Sequence, residues 1–262
     1  MLSLLSPAKK LNFIDPAPFD AHSLPDFLGD SEELIDQAQH LSRSEISQLM
    51  HISDTLAELN YQRFHDFKPP FNLGNAKQAA YAFMGDTYVG LDAANLSEED
   101  FTWAQERVRI LSGLYGLLRP LDLIQAYRLE MGCRFKNSRG NNLYDFWGES
   151  LTLGINKILK THQTKVVIAC ASNEYFKAVK PKLLDGDLIT PIFKEIKGGQ
   201  AKTLGMFAKR ARGALTRFMI ENRIENPEGL KDFQTGGYQF RTDMSKGNNW
   251  VFTRDHDAMK AA

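Results

Sequence analysis

Lys165-Val-Val-Ile-Ala-Cys-Ala171 is the stretch on which the fold class turns. A run of β-branched and small apolar residues this short, bounded by Lys165 and Ser172, predicts a strand and falls far below the 18 apolar residues that argue for a membrane span. C-terminal to it, residues 188–196 and 201–207 also have strand character. Residues 208–224 read as a long helix, with Leu215, Phe218 and Met219 among the flanking arginines, stopped by Asn226-Pro227. Residues 238–241 and 249–254 look like a closing strand pair joined through Ser245-Lys246-Gly247-Asn248. N-terminal to the deciding stretch, Leu2 to Leu5 predicts a short strand halted by Ser6-Pro7, since proline lacks an amide donor and keeps the preceding residue out of the α region. Residues 32–39 and 44–59 carry apolar side chains at helical spacing, with Ser42 or Ser44 as cap. Residues 76–83 are expected to be helical, and Ser97 precedes Glu98, Glu99 and Asp100 as the cap of a helix over 101–111. Without an internal repeat or a Pro-rich linker, the reading is α+β, one mixed domain over residues 1–262.

With 262 residues, 43% hydrophobic and 24% charged, the chain can bury a sizeable core, which excludes a disordered tail or a disulfide-stapled miniprotein. Cys133 and Cys170 stand alone, as suits a reducing compartment. The apolar start Met1-Leu-Ser-Leu-Leu precedes its lysines, the reverse of a signal peptide, so the expected location is cytoplasmic, with no membrane partner. None of the six histidines has a ligand-spaced partner, and no Walker A, Gly-x-Gly-x-x-Gly or Gly-x-Ser-x-Gly pattern occurs; neither metal nor cofactor is expected. The 32 basic and 32 acidic residues are unevenly spread. Between Asp15 and Asn60 ten acidic residues face one basic residue, Arg43, whereas between Lys194 and Arg223 eight basic residues face two acidic ones. Such a dipole can guide a polyanion to one face or be two solvated surfaces of opposite sign.

Five segments carry chemistry. In Leu4-Leu-Ser6-Pro7-Ala8-Lys9 a strand delivers a hydroxyl and an ammonium to its exit loop. Phe83-Met-Gly85-Asp86-Thr-Tyr88-Val-Gly90-Leu91 holds a carboxylate and a phenol between glycines. Arg109-Ile-Leu111-Ser-Gly113-Leu-Tyr-Gly116-Leu-Leu-Arg119-Pro-Leu-Asp122 reads as a glycine-rich hairpin between helices. Its amides could hold a phosphate while Arg109 and Arg119 add charge, as a helix-hairpin-helix element does; a bare turn would use the same glycines. Tyr127-Arg128-Leu-Glu130-Met-Gly132 and the segment from Ser172 through Glu174, Tyr175 and Lys177 to Lys180 are more polar than a core needs. Lys177 and Lys180, at i and i+3, would depress a lysine pKa if they lined a cleft with Lys9 and Arg128.

In this order, these segments resemble the bacterial YaaA peroxide-stress-response family over residues 1 to about 252, with one departure at Lys10, where many members carry threonine. The resemblance implies a cytoplasmic protein that protects against hydrogen peroxide by limiting free intracellular iron. It also implies DNA binding with little sequence preference, through a positive cleft and a helix-hairpin-helix-like element. The nucleic-acid-binding candidates are Arg109, Gly113, Gly116, Arg119, Arg128, Lys180, Lys209, Arg210 and Arg212, with DNA as partner and a monomer favoured. The alternative is an enzyme acting on a nucleobase or nucleotide-like substrate, its catalytic candidates Lys9, Asp86, Glu130, Glu174 and Lys177 converging in a pocket. An interaction scaffold using the acidic segment is the third reading.

Overall fold

The computed structural model describes residues 1–256. Its centre is a mainly parallel sheet. From one edge the strands run Gln239–Phe240, Asn249–Asp255, Asp187–Lys197, Val166–Ala169, Leu2–Leu5, Val108–Ser112 and Gly116–Leu118, and Gln200–Lys202 pairs back onto Asp187–Lys197. The five inner strands are parallel and the two edges antiparallel. Leu2–Leu5 and Val166–Ala169 are buried at every position, as a parallel strand covered on both faces must be.

Strand order reverses beside Leu2–Leu5. The chain places its next sheet strand, Val108–Ser112, on one side, then crosses to lay Val166–Ala169 on the other. Both central strands therefore finish at the same end of the sheet, where the reversal leaves a crevice. The helix Gly205–Glu221 crosses the short helix Asp86–Leu91 at two glycines. A β-carbon at Gly90 would overlap the Arg210 carbonyl oxygen, and one at Gly213 the Thr87 carbonyl oxygen. Only glycine permits this approach, which fixes the distance between the two helices.

Several expectations are met closely. Ser97 and Asp100 form a capping box for Glu98–Arg107, Ser42 and Glu45 one for Arg43–Met50, and Asn249–Asp255 pairs with Gln239–Phe240. Others need correction. The helical pattern over 44–59 is two helices, Arg43–Met50 and Asp54–His65, separated at His51, whose φ of 52° leaves the helical region. Residues 76–83 form a strand pair end, one helical turn and a second strand. Residues 201–207 hold only the strand Gln200–Lys202 before the long helix starts at Gly205. The largest correction concerns residues 109–122. The helix ends at Arg107, and Val108–Ser112 turns through residues 113–115 into Gly116–Leu118 as a β-hairpin of the main sheet, not a helix-hairpin-helix. Its apolar side chains are buried all round, and a short all-buried run has no period to distinguish strand from helix. No helix among the described residues is long and apolar enough to cross a membrane.

Candidate functional site

A cavity of about 350 Å³ opens where Leu2–Leu5 and Val166–Ala169 end. The exit loops are tied together. The Ser172 amide donates to Ser6 Oγ at 2.8 Å, the Ser6 hydroxyl donates to Ser172 Oγ at 3.3 Å, and the Tyr88 hydroxyl donates to the Ser6 carbonyl at 3.1 Å. Ser172 thus stands at a helix N-cap position but gives its hydroxyl no capping role. Tyr88 is buried, and burial pushes its phenol well above the ordinary value, so it acts as a neutral strut.

A two-residue ladder brings the first two polar segments together. Lys10 and Leu11 pair antiparallel with Met84 and Phe83, which sets the loop carrying Lys9 beside Gly85 and Asp86. The Tyr127 hydroxyl, 2.6 Å from Ser112 Oγ, pins the segment of residues 127–132 to the sheet, and from there Glu130 reaches Lys9 at 3.1 Å and Arg128 at 3.0 Å. Glu174 brings in the segment of residues 172–180, accepting from the Gly132 amide at 3.1 Å. Lys9, Asp86, Glu130 and Glu174 thus line one cavity, with Lys209 and Arg212 from the long helix.

The arrangement is electrostatically divided. Burial pushes the Glu130 carboxyl up, but the hydrogen bond from Lys9 and the charge of Arg128 outweigh it and hold it below the ordinary carboxylate value. The expected cluster of repelling cations around Lys9 and Arg128 is therefore corrected: a shared carboxylate sits between them. Lys209 and Arg212 differ. Neither reaches a carboxylate among the described residues, whereas most arginines do, among them Arg107, Arg119, Arg217 and Arg223. Arg212 Nε is buried without a hydrogen-bond partner. A second cavity of about 640 Å³ shares Lys9, Glu130 and Glu174 as a wall and is lined beyond them by Gln48, His51 and Arg134, which the sequence reading did not single out.

The remaining candidates lie elsewhere. Lys177 is exposed, its ammonium 4.8 Å from the Tyr144 ring centroid, and Lys180 offers its backbone amide to Thr152; neither lines the cavity. Arg109 is buried within the sheet, donating to the carbonyls of Gln105 and Val108, and burial lowers its pKa to about 10. Arg119 is engaged by Asp122 and Asp26. A β-carbon at Gly113 would overlap the Leu129 carbonyl oxygen, and Gly116, at φ 68°, packs on Trp147. These four residues build the hairpin and its packing and offer no nest of free amides. Arg210 is exposed, one position from Lys209, and lines an adjoining cavity on the other flank of the helix.

Neither cysteine is an activated nucleophile. Burial pushes the Cys133 thiol up to about 12 and raises Cys170 as well. Among the described residues, no three His, Cys, Asp or Glu side chains are grouped to hold a metal ion.

The family described as peroxide stress protein YaaA matches residues 1–244. A UPF0246 protein of Burkholderia cenocepacia (strain HI2424) is 52% identical over 256 residues, spanning 97% of this chain and 98% of the relative. A UPF0246 protein of Colwellia psychrerythraea (strain 34H) is 53% identical over 254 residues, spanning 97% and 99%. The polar segments that converge on the sheet-end cavity thus lie in a chain that belongs to the YaaA peroxide stress protein family.

Proposed function

We propose that the protein serves peroxide-stress protection in the cytoplasm by holding DNA at the mouth of the sheet-end cleft, with limitation of free iron as the physiological outcome. Lys209, Arg210 and Arg212 contact backbone phosphates with little sequence preference, and Lys10 adds charge at the same cavity. The observation that carries this reading is that Lys209 and Arg212 line the cavity while reaching no carboxylate among the described residues, with Arg210 exposed beside them on the same helix. A labelled duplex titrated at several salt concentrations tests it. The logarithm of affinity is expected to fall steeply with the logarithm of salt, and a Lys209→Gln, Arg210→Gln, Arg212→Gln variant to lose about 2–3 from that slope. A flat salt response would remove the proposal.

The convergence of Lys9, Asp86, Glu130 and Glu174 around one enclosed space favours a second reading, an enzyme acting on a nucleobase or nucleotide-like substrate. Here Glu130 holds Lys9 in place through their ion pair, and Asp86, with no ion pair among the described residues, is the free carboxylate available as a base. Product analysis after incubation with nucleosides and nucleotides, with Asp86→Asn alongside, decides it: turnover abolished in the variant supports the reading, and turnover unchanged in the variant counts against it.

A further inference from the structure

The two halves of the cavity make different demands on a ligand. On one side the charges are already balanced by the Lys9, Glu130 and Arg128 cluster. On the other, Arg212 is half-buried, its Nε is sealed from solvent and unpartnered, and Lys209 stands one helical turn away at i−3 on the same lining. The rest of the Arg212 guanidinium also meets no hydrogen-bond acceptor or carboxylate among the described residues, and the group that satisfies its accessible N–H donors together with the neighbouring ammonium is an anion with several acceptor oxygens. Arg210 and Gly213, on either side of Arg212, lie against the Asp86–Leu91 helix at the glycine crossing, which fixes the stretch of helix backbone that carries Arg212.

Size narrows the choice. A space of about 350 Å³ between two strand ends admits a ligand of one nucleotide's dimensions and excludes a duplex, which can only rest on the rim. Asp86 lines the same space with no ion pair among the described residues and offers an acceptor to hydroxyl or amino groups.

We propose that Arg212 and Lys209 form a phosphate subsite inside the cavity, so that the ligand it encloses is a phosphate ester of nucleotide size with its hydroxyl or amino groups toward Asp86. This deepens the nucleotide reading of the site and rests on it. The phosphate can belong to a free nucleoside monophosphate or to a terminal or extruded nucleotide of a strand, and the test separates the two sources.

Calorimetric titration of the full chain with inorganic phosphate, adenosine and adenosine 5′-monophosphate is compared for wild type, Arg212→Gln, Lys209→Gln and the charge control Lys160→Gln, an exposed lysine elsewhere on the surface. The expected result is that the monophosphate binds at least about tenfold tighter than the nucleoside, and that each subsite variant, but not the control, removes about tenfold of that affinity. Lys209 is exposed, so its variant reads the subsite even if Arg212→Gln disturbs folding. A 5′-phosphorylated single strand that binds with the same dependence, while the free monophosphate does not, assigns the phosphate to a strand end. Nucleoside and monophosphate binding equally, or monophosphate and phosphorylated strand both indifferent to Lys209 and Arg212, overturns the subsite. Duplex binding measured in parallel keeps the two proposals apart: duplex affinity retained without any enclosed phosphate leaves the rim reading standing alone.

Discussion

Two stretches of this chain look alike on paper, Arg109 to Arg119 and Lys209 to Arg217, each mixing glycine with cations. In the first, Arg109 is buried against backbone carbonyls, Arg119 is consumed by Asp122 and Asp26, and the glycines are packed against Leu129 and Trp147. In the second, one glycine is equally crowded, but Lys209 and Arg212 face a cavity without acidic partners among the described residues. A cation's functional worth lies in whether the fold has already spent it, which composition does not reveal.

The sharpest way to break this comparison is at the glycines. Gly213→Ala forces the two crossing helices apart and is expected to cost about 2–4 kcal/mol while also moving Arg212 away from Asp86. Gly113→Ala should cost a similar amount through the Leu129 carbonyl but leave the salt dependence of DNA binding intact in the folded fraction. Chemical denaturation with binding at matched folded fractions checks both; a change of salt slope in Gly113→Ala would return the hairpin to the binding surface.

Next come the cations themselves. Arg109→Met strands two carbonyl acceptors and is expected to lose about 1–3 kcal/mol of stability with no change in DNA affinity. Lys209→Gln should show the reverse, stability within about 0.5 kcal/mol and weaker binding. Identical behaviour of the two variants would erase the distinction.

The balanced half of the cavity has its own pH signature. The Glu130 carboxyl lies below its unfolded value, so it adds stability above the unfolded carboxylate range and loses it as pH falls through the folded value. Melting temperatures of wild type are expected to drop over that acidic window, and Glu130→Gln, already weaker by about 1–2 kcal/mol, to drop less. Parallel acid profiles would show the carboxylate to be irrelevant.

The smallest effect belongs to the opposite end of the central strand. Burial lowers the Met1 amine from 8.0 to about 6, and His162, 3.2 Å away, is lowered in the same direction by burial. Between these values the unfolded chain holds more protons, so stability rises with pH from 6 to 8. Melting temperatures that fall over this interval would contradict it.

Much of this architecture was legible. The β-branched run at 166–169, the closing strands and the Ser97 cap follow from local pattern. Val108–Ser112 was not legible as a strand, because its continuously buried apolar side chains extend the preceding helix without a change of period. Residue types at the site were readable for Lys9, Asp86, Glu130 and Glu174. Their partnerships were not, since these depend on the two-residue ladder of Lys10 and Leu11 with Met84 and Phe83, too short to announce itself in sequence. Lys177 was misplaced for a related reason: the helix Asn173–Phe176 is a single turn, so spacing along it says little about which way the next residue faces.

The most direct test of where nucleic acid meets this protein is hydrogen–deuterium exchange with and without saturating duplex at low salt. New protection is expected at residues 6–10, 84–90 and 205–213, with residues 112–116 unchanged. New protection at 112–116 with none along the start of the long helix would contradict the account.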